Sequence, residues 1–237
     1  MSTPRSRHGQ TGRVQSLVVA TTAMHCDENP EANRRRMASL VRAIKAESPE
    51  TRLILFGELC LGWFWHGERR GRSYGDDTVE SLDYHQRIAE PIPGPTTEFV
   101  GRLAQEHDVY IAFGIGERAD GAPPGSKPYN AMVLVDPAGS VVAKRRQLRL
   151  ACGMFQPSNE LATVANVDGV RVALLICSDA QSASLRRSIR RARPLLVLHA
   201  LAAPQKDALF TRAIAALFGA WVVTSNRIGG EPEPETR

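Results

Sequence analysis

Cysteine is scarce in this 237-residue chain, with four in all: Cys26, Cys60, Cys152 and Cys177. None lies in a C-x-x-C pair or at Cys/His spacing, which argues against a structural zinc site. The six histidines form no H-x-x-x-H or H-x-H pair, so no metal is expected. No apolar run approaches the ~18 residues of a membrane helix, and the first residues, MSTPRSRHGQTGRVQ, lack the apolar stretch of a secretory signal. Reduced thiols and a cytoplasmic setting are the expectation. A Walker loop and G-x-G-x-x-G are absent; GIGE (114–117) ends a strand pattern and opens no helix. No internal repeat or domain linker is visible.

Positive charge, by contrast, is in excess. Lys and Arg number 30 against 25 Asp and Glu, for a net charge of +5. The arginines concentrate in NRRRMASLVRAIK (33–45), KRRQLR (144–149) and LRRSIRRARP (185–194). Nucleic-acid binding would need these on one face with aromatics between them, and the clusters hold none. Solvated outer helix faces are the plainer reading.

Apolar patterning alternates between strand and helix. Strands are expected in 13–22, 51–58, 109–117, 129–146 (two, joined at Asp136–Gly139), 170–177, 194–200 and 221–230. Helices are expected in ENPEANRRRMASLVRAIKAES (28–48) with Pro30 near the start, over 95–107 with Thr96 or Thr97 as cap, over 182–193 and over 206–220. The stretch 62–95, rich in Gly, Asp, Arg and Pro, reads as a long irregular loop. An α/β domain over 13–230 follows, with residues 1–12 and the polar tail 231–237 disordered. Strand direction is not fixed by this pattern.

Three strand ends could carry chemistry. Glu58 follows LILFG, Cys177 ends VALLIC, and the cluster Lys144–Gln147 closes a third strand. A carboxylate can take a thiol proton, the thiolate is a nucleophile, and a nearby cation or donor stabilises an oxyanion. Each residue also has a plainer role: a small core cysteine, a loop carboxylate, a surface cation.

Six stretches in order resemble the nitrilase superfamily of carbon–nitrogen hydrolases: LILFGELCLGW, AEPIPGPTTEFVGRLAQEHDVYIAFGIGER, PYNAMVLVDPAGSVV, RVALLICSDA, PLLVLHALA and WVVTSNRIG. The resemblance implies a four-layer α–β–β–α sandwich and a homodimer. It implies cysteine-dependent hydrolysis of a small-molecule amide, nitrile or carbamoyl group, with no cofactor. Glu58 matches the general base and Cys177 the nucleophile. The family pattern G-x-V-x-G-x-Y-R-K-x-H-L, laid without a gap on GSVVAKRRQLRL, puts Arg146 on the arginine and Gln147 on the catalytic lysine. Lys144 falls three residues early, an odd shift that reverses a strand side chain's face. A second family glutamate falls on Ala151, before FQPS (155–158). The family also continues past NRIGG, so the resemblance implies a shortened C-terminus. Trp63, Asn130, Asp179 and His199 are candidate substrate contacts; Trp63 and its aromatic neighbours could equally pack beneath the 62–95 loop, and His199 could be structural.

Three functions remain open at this point: a divergent hydrolase drawing a cation from 144–149, a catalytically silent scaffold that binds a small molecule or partner protein, and an arginine-rich anion or nucleic-acid binder.

Overall fold

The computed structural model describes residues 16–62, 79–150, 153–202 and 216–228. Two mixed sheets organise them. The first runs in the order β1 (Val19–Thr21), β2 (Leu53–Leu55), β3 (Tyr110–Glu117), β4 (Tyr129–Val135), β5 (Val141–Arg146). Strands β1 to β3 are parallel, while β4 and β5 return antiparallel. The second runs β6 (Val164–Val167), β7 (Val170–Ile176), β8 (Leu196–Leu201), β9 (Trp221–Asn226), with β7 to β9 parallel.

Side-chain alternation shows how the layers stack. Leu53 and Leu55 of β2 share a buried cluster with Met132 and Leu134 of the same sheet and with Val172, Leu174, Leu196 and Leu198 of the other. The two sheets therefore pack face to face. Residues of opposite parity face outward. Ile54, Ile111 and Val133 meet Met37 and Val41 of α1 (Pro30–Glu47) and Val100, Leu103 and Ala104 of α3 (Pro95–His107). Ala173, Leu175 and Val197 meet Leu185 and Ile189 of α4 (Ala183–Ala192). The result is an α–β–β–α sandwich. Strands covered on both faces read as unbroken apolar runs, which is why LILF and VALLI carry no polar alternation.

The helix ends follow local chemistry. Asn29 caps α1, its side chain accepting from the Glu31 and Ala32 N–H groups at 3.0 and 3.2 Å, and Pro30 needs no donor there. Ser182 caps α4 through the Leu185 N–H. For α3 the expected cap, Thr96 or Thr97, is replaced by Gly94; the Thr97 hydroxyl instead accepts from the Gly94 N–H at 2.7 Å.

Two elements differ from the sequence expectation. The stretch 62–95 is not irregular throughout, because α2 (Val79–Ile88) lies inside it and buries Tyr84 and His85. Its polar neighbours in the sequence mask a short helix anchored by two amphipathic rings. Strand β6 is not anticipated by the apolar pattern, although it forms a hairpin with β7 across Asp168–Gly169, both at positive φ. Asp-Gly between apolar runs is the usual sign of such a turn. The expected helix 206–220 lies largely outside the described residues, as do residues 1–12, Trp63, Ala151 and the tail 231–237.

The arginine clusters do not form one basic face. Those of α1 cover the first sheet, where Arg34 pairs with Glu31 and Glu90 and Arg36 with Asp27. Those of α4 cover the second, on the opposite outer layer. Among the described residues no helix is long and apolar enough to cross a membrane.

Candidate active site

The C-terminal ends of the parallel strands, the start of β4 and the end of β5 meet at one end of the sandwich. Glu58 lies three residues past β2, Cys177 immediately past β7, and Ala202 immediately past β8. The Glu58 N–H donates to the Leu201 carbonyl at 3.1 Å, tying the two sheets together there. The Cys177 thiol lies near enough to the Glu58 carboxylate for the two to shift each other's ionisation, so an acid and a sulfur 119 positions apart in the chain meet at this end of the sandwich.

A polar circuit surrounds the pair. The Asn130 amide donates to Glu58 Oε1 at 2.7 Å and to Gln147 Oε1 at 2.9 Å. Gln147 Nε2 donates in turn to Ser178 Oγ at 3.2 Å, and Ser178 follows Cys177 in the chain. Glu58, Asn130 and Gln147 are each at most 3% exposed. A hydrogen-bonded chain thus runs from Glu58 through Asn130 and Gln147 to Ser178, the residue after Cys177. The backbone N–H groups of Ala202 and Ser178 favour the Cys177 thiolate, against its desolvation.

Strand alternation decides which cation could join the circuit. In β5, Lys144 and Arg146 share one face and both bind Glu117, at 2.5 Å from Nζ and 2.7 Å from Nε. Arg145 and Gln147 take the other face, and both are buried. Lys144 therefore points away from Cys177. Arg149 is exposed, its Nε donating to Gln181 at 3.2 Å. Neither compensates for the uncharged Gln147.

The remaining candidates take supporting positions. Asp179 does not project into the circuit. Its Oδ2 accepts from Arg145 at 2.8 and 3.2 Å, and its Oδ1 from the Leu148 and Arg149 N–H groups at 2.9 and 2.8 Å. That brace ties the end of β5, which carries Gln147, to the turn that carries Cys177. His199 lies within β8 and contacts the Cys177 carbonyl at 3.2 Å through Nε2, supporting the turn from beneath. Trp63 lies outside the described residues.

Burial sets the electrostatics. Desolvation pushes the Glu58 carboxyl up to about 7, against hydrogen bonds from Asn130, Cys177 and the Ala202 N–H and the charge of Arg227. Desolvation, with the adjacent Glu58 charge, drives the Cys177 thiol well above its ordinary range. Desolvation lowers His199 to about 4, so its imidazole is neutral at pH 7. Burial moves each of these groups toward its uncharged form. Among the described residues no group of three or more His, Cys, Asp or Glu side chains converges as a metal site would require.

Backbone geometry is unusual on both sides of the pair. Leu59 and Cys177 hold φ of 45° and 38°, the left-handed region that branched or bulky residues avoid. Gly114 of β3 leaves room for the first of these turns. A Cβ there would lie 2.5 Å from the Leu59 nitrogen and 2.7 Å from the Glu58 Cα. Both are backbone atoms, so the loop itself would have to move. Gly114→Ala is therefore expected to cost about 1–3 kcal/mol and to separate Glu58 from Cys177. Urea unfolding checks the first effect, and the pH dependence of Cys177 alkylation the second.

Two side chains at the site are not singled out by the sequence pattern. Ser178 is the acceptor for Gln147. Arg227, one residue past β9, is 2% exposed and donates to the Leu59 carbonyl at 2.7 Å. Its position at a parallel strand end, like that of Glu58 and Cys177, is the available clue.

Comparison with known proteins agrees with this geometry. The family described as carbon–nitrogen hydrolase matches residues 18–236. Formamidases of Bacillus cereus and Bacillus anthracis are 39% identical over 57 residues, a stretch covering 24% of this chain and only 16% of theirs. Among solved structures, Nit3 of Saccharomyces cerevisiae, a member of branch 10 of the nitrilase superfamily, aligns with a TM-score of 0.72 at 19% identity, over 89% of this chain and 75% of that one. An amidase from Nesterenkonia sp. AN1, seen with acrylamide added to its active-site cysteine, aligns with a TM-score of 0.70 at 15% identity, over 91% and 81%. The structural likenesses extend over most of the chain, and the family match spans Glu58, Gln147 and Cys177 alike: the chain belongs to the carbon–nitrogen hydrolase family.

Proposed function

We propose that this protein is a slow cysteine hydrolase of small, uncharged amides, in which a neutral amide takes the place of the usual cation. The observation that carries this reading is the hydrogen-bonded circuit in which Gln147 fills the corner beside Glu58 and Cys177.

The chemistry proceeds in two halves. Glu58, as carboxylate, takes the proton of the Cys177 thiol while the sulfur attacks the amide carbon. The C–N bond breaks, and the amine departs with the proton held by Glu58. Water then attacks the thioester, Glu58 removes a proton from that water, and the thiolate leaves and is reprotonated. The oxyanion of each tetrahedral intermediate is met by neutral donors: the Gln147 amide, with a second hydrogen available, and the Ser178 and Ala202 N–H groups. A carboxyl titrating near 7 is divided between base and acid forms at neutral pH, which suits a group that must both take and return a proton.

A second reading has its own observation in favour. The Cys177 thiol is held well above its normal range with no cation at position 147 to offset it. A site in that state could bind a neutral amide without attacking it.

One experiment separates the two. The protein is incubated with a panel of small amides, formamide included, with ammonia release and the mass of the acid-quenched protein followed together. Slow turnover with an acyl group on Cys177, both absent from Cys177→Ala, is expected. Equal turnover in the alanine variant would overturn the hydrolase reading, and saturable binding with no adduct would establish the binding one.

A further inference from the structure

We propose that Arg227 is a positioning residue of this site, clamping the strained turn that aims Glu58 at Cys177 and lending the carboxylate the positive charge absent from position 147. The proposal rests on the reading of Glu58 as the base, and it concerns a residue on a different sheet from the family's lysine position.

Three observations converge on this side chain. Arg227 is among the largest fully buried side chains, and a buried guanidinium is costly unless its surroundings are arranged for it. Its Nη1 donates at 2.7 Å to the carbonyl of Leu59, the residue that follows Glu58 and sits at φ 45°. A leucine persists in that conformation only where its surroundings enforce it. Finally, the Arg227 backbone packs against the other side of the same turn. Its N–H donates to Leu201 O at 3.2 Å, and a Cβ on Gly57 would lie 2.7 Å from that nitrogen. The turn 57–59 is thus held from β9 by both the main chain and the side chain of one residue.

Charge gives the clamp a second effect. Among the described residues, the groups facing Glu58 are the Asn130 amide, the Cys177 thiol, the Ala202 N–H and Arg227. Of these only Arg227 carries positive charge, and it draws the Glu58 carboxyl downward against desolvation. It also acts on the buried Cys60 thiol, two residues beyond the base. Gln147, Asn130 and the neutral His199 add none. Removing the guanidinium charge should therefore raise the pH at which Glu58 becomes a base.

Two substitutions divide the roles. Arg227→Lys keeps charge and a donor; Arg227→Gln keeps a donor for the Leu59 carbonyl and removes the charge. Glu58 is followed by carbon-13 NMR of labelled glutamate, its resonance assigned by its loss in Glu58→Gln, alongside the pH profile of Cys177 alkylation by iodoacetamide. In Arg227→Gln the Glu58 midpoint is expected to rise by about one unit, a roughly tenfold loss of base form at pH below the midpoint. Arg227→Lys should hold the midpoint near that of the native protein. A glutamine variant with native circular dichroism and an unmoved midpoint overturns the proposal. So does a shift of equal size in the lysine variant. Should Arg227→Gln fail to fold alone, it is combined with Leu59→Gly, which relieves the strain in the turn. The Glu58 midpoint of that double variant is then compared with that of Leu59→Gly, and equal midpoints overturn the proposal. Because the titration needs no turnover, a midpoint shift without amide hydrolysis would leave the clamp standing and remove only the hydrolase reading.

Discussion

Replacing Gln147 by lysine is expected to raise kcat/KM for small amides by about 10²–10³, the usual worth of one oxyanion donor. The side chain at 147 already lies on the buried face of its strand, donating to Ser178 beside Cys177. An ammonium there would supply full charge to the developing oxyanion. It would also favour the ionised forms of Glu58 and Cys177, both of which burial now holds toward neutrality. The acid limb of the pH–rate profile should therefore move below 7, and alkylation of Cys177 should quicken. The substitution has a cost, because lysine cannot accept the hydrogen bond that Asn130 now gives to Gln147. A loss of about 1 kcal/mol in stability is expected from that bond. Unchanged kcat/KM together with unchanged alkylation would show that position 147 does not face the reacting atoms.

Replacing Glu58 by glutamine is expected to abolish hydrolysis while making the fold more stable at alkaline pH. The folded carboxyl titrates at about 7, against an ordinary value of 4.5. Between those values the unfolded chain is ionised while the folded one keeps its proton, so this group's contribution to stability falls as pH rises through that window. The difference amounts to about 3 kcal/mol at pH 8. His199 acts in the opposite sense. Its folded value of about 4 lies below its ordinary 6.5, so the unfolded chain binds the extra proton and stability rises with pH between them. In the native protein the two slopes largely offset each other. Glu58→Gln removes one, so its stability should climb from pH 4 to 6.5 and exceed the native value at pH 8. Urea denaturation of both proteins at pH 5 and pH 8 checks this. Parallel pH dependence in the two would mean that Glu58 is ionised in the folded state throughout.

The site and its supports would then be at odds over stability. Glu58 and His199 are buried and Cys177 half-buried, where their charged forms are disfavoured, and Leu59 and Cys177 adopt backbone angles that cost energy. Such features persist where surrounding structure enforces them. Here the enforcement comes from the sheet-to-sheet bond between Glu58 and Leu201, the Asp179–Arg145 brace and the Arg227 contact with Leu59.

The amino-acid order by itself determined most of the elements and their class, α2 and β6 excepted. Unbroken apolar runs marked β2, β3, β7 and β8, because strands covered on both faces tolerate no polar alternation. Period-3.6 patterns marked α1, α3 and α4, although the cap expected for α3 at Thr96 or Thr97 falls on Gly94. Ordered motifs placed Glu58 and Cys177 at strand ends, and counting in twos put Lys144 and Gln147 on opposite faces of β5, which is where they lie. Tertiary structure alone decided what those positions become. The parallel pairing of β7 with β8 and β9, and the packing of the two sheets, brought residues from distant segments to one end of the sandwich. Neither Arg227's contact with Leu59 nor Asp179's with Arg145 has a local signature, since each joins residues separated by tens to hundreds of positions. The shift of Glu58 to about 7 is likewise a property of its burial among neighbours and not of its residue type.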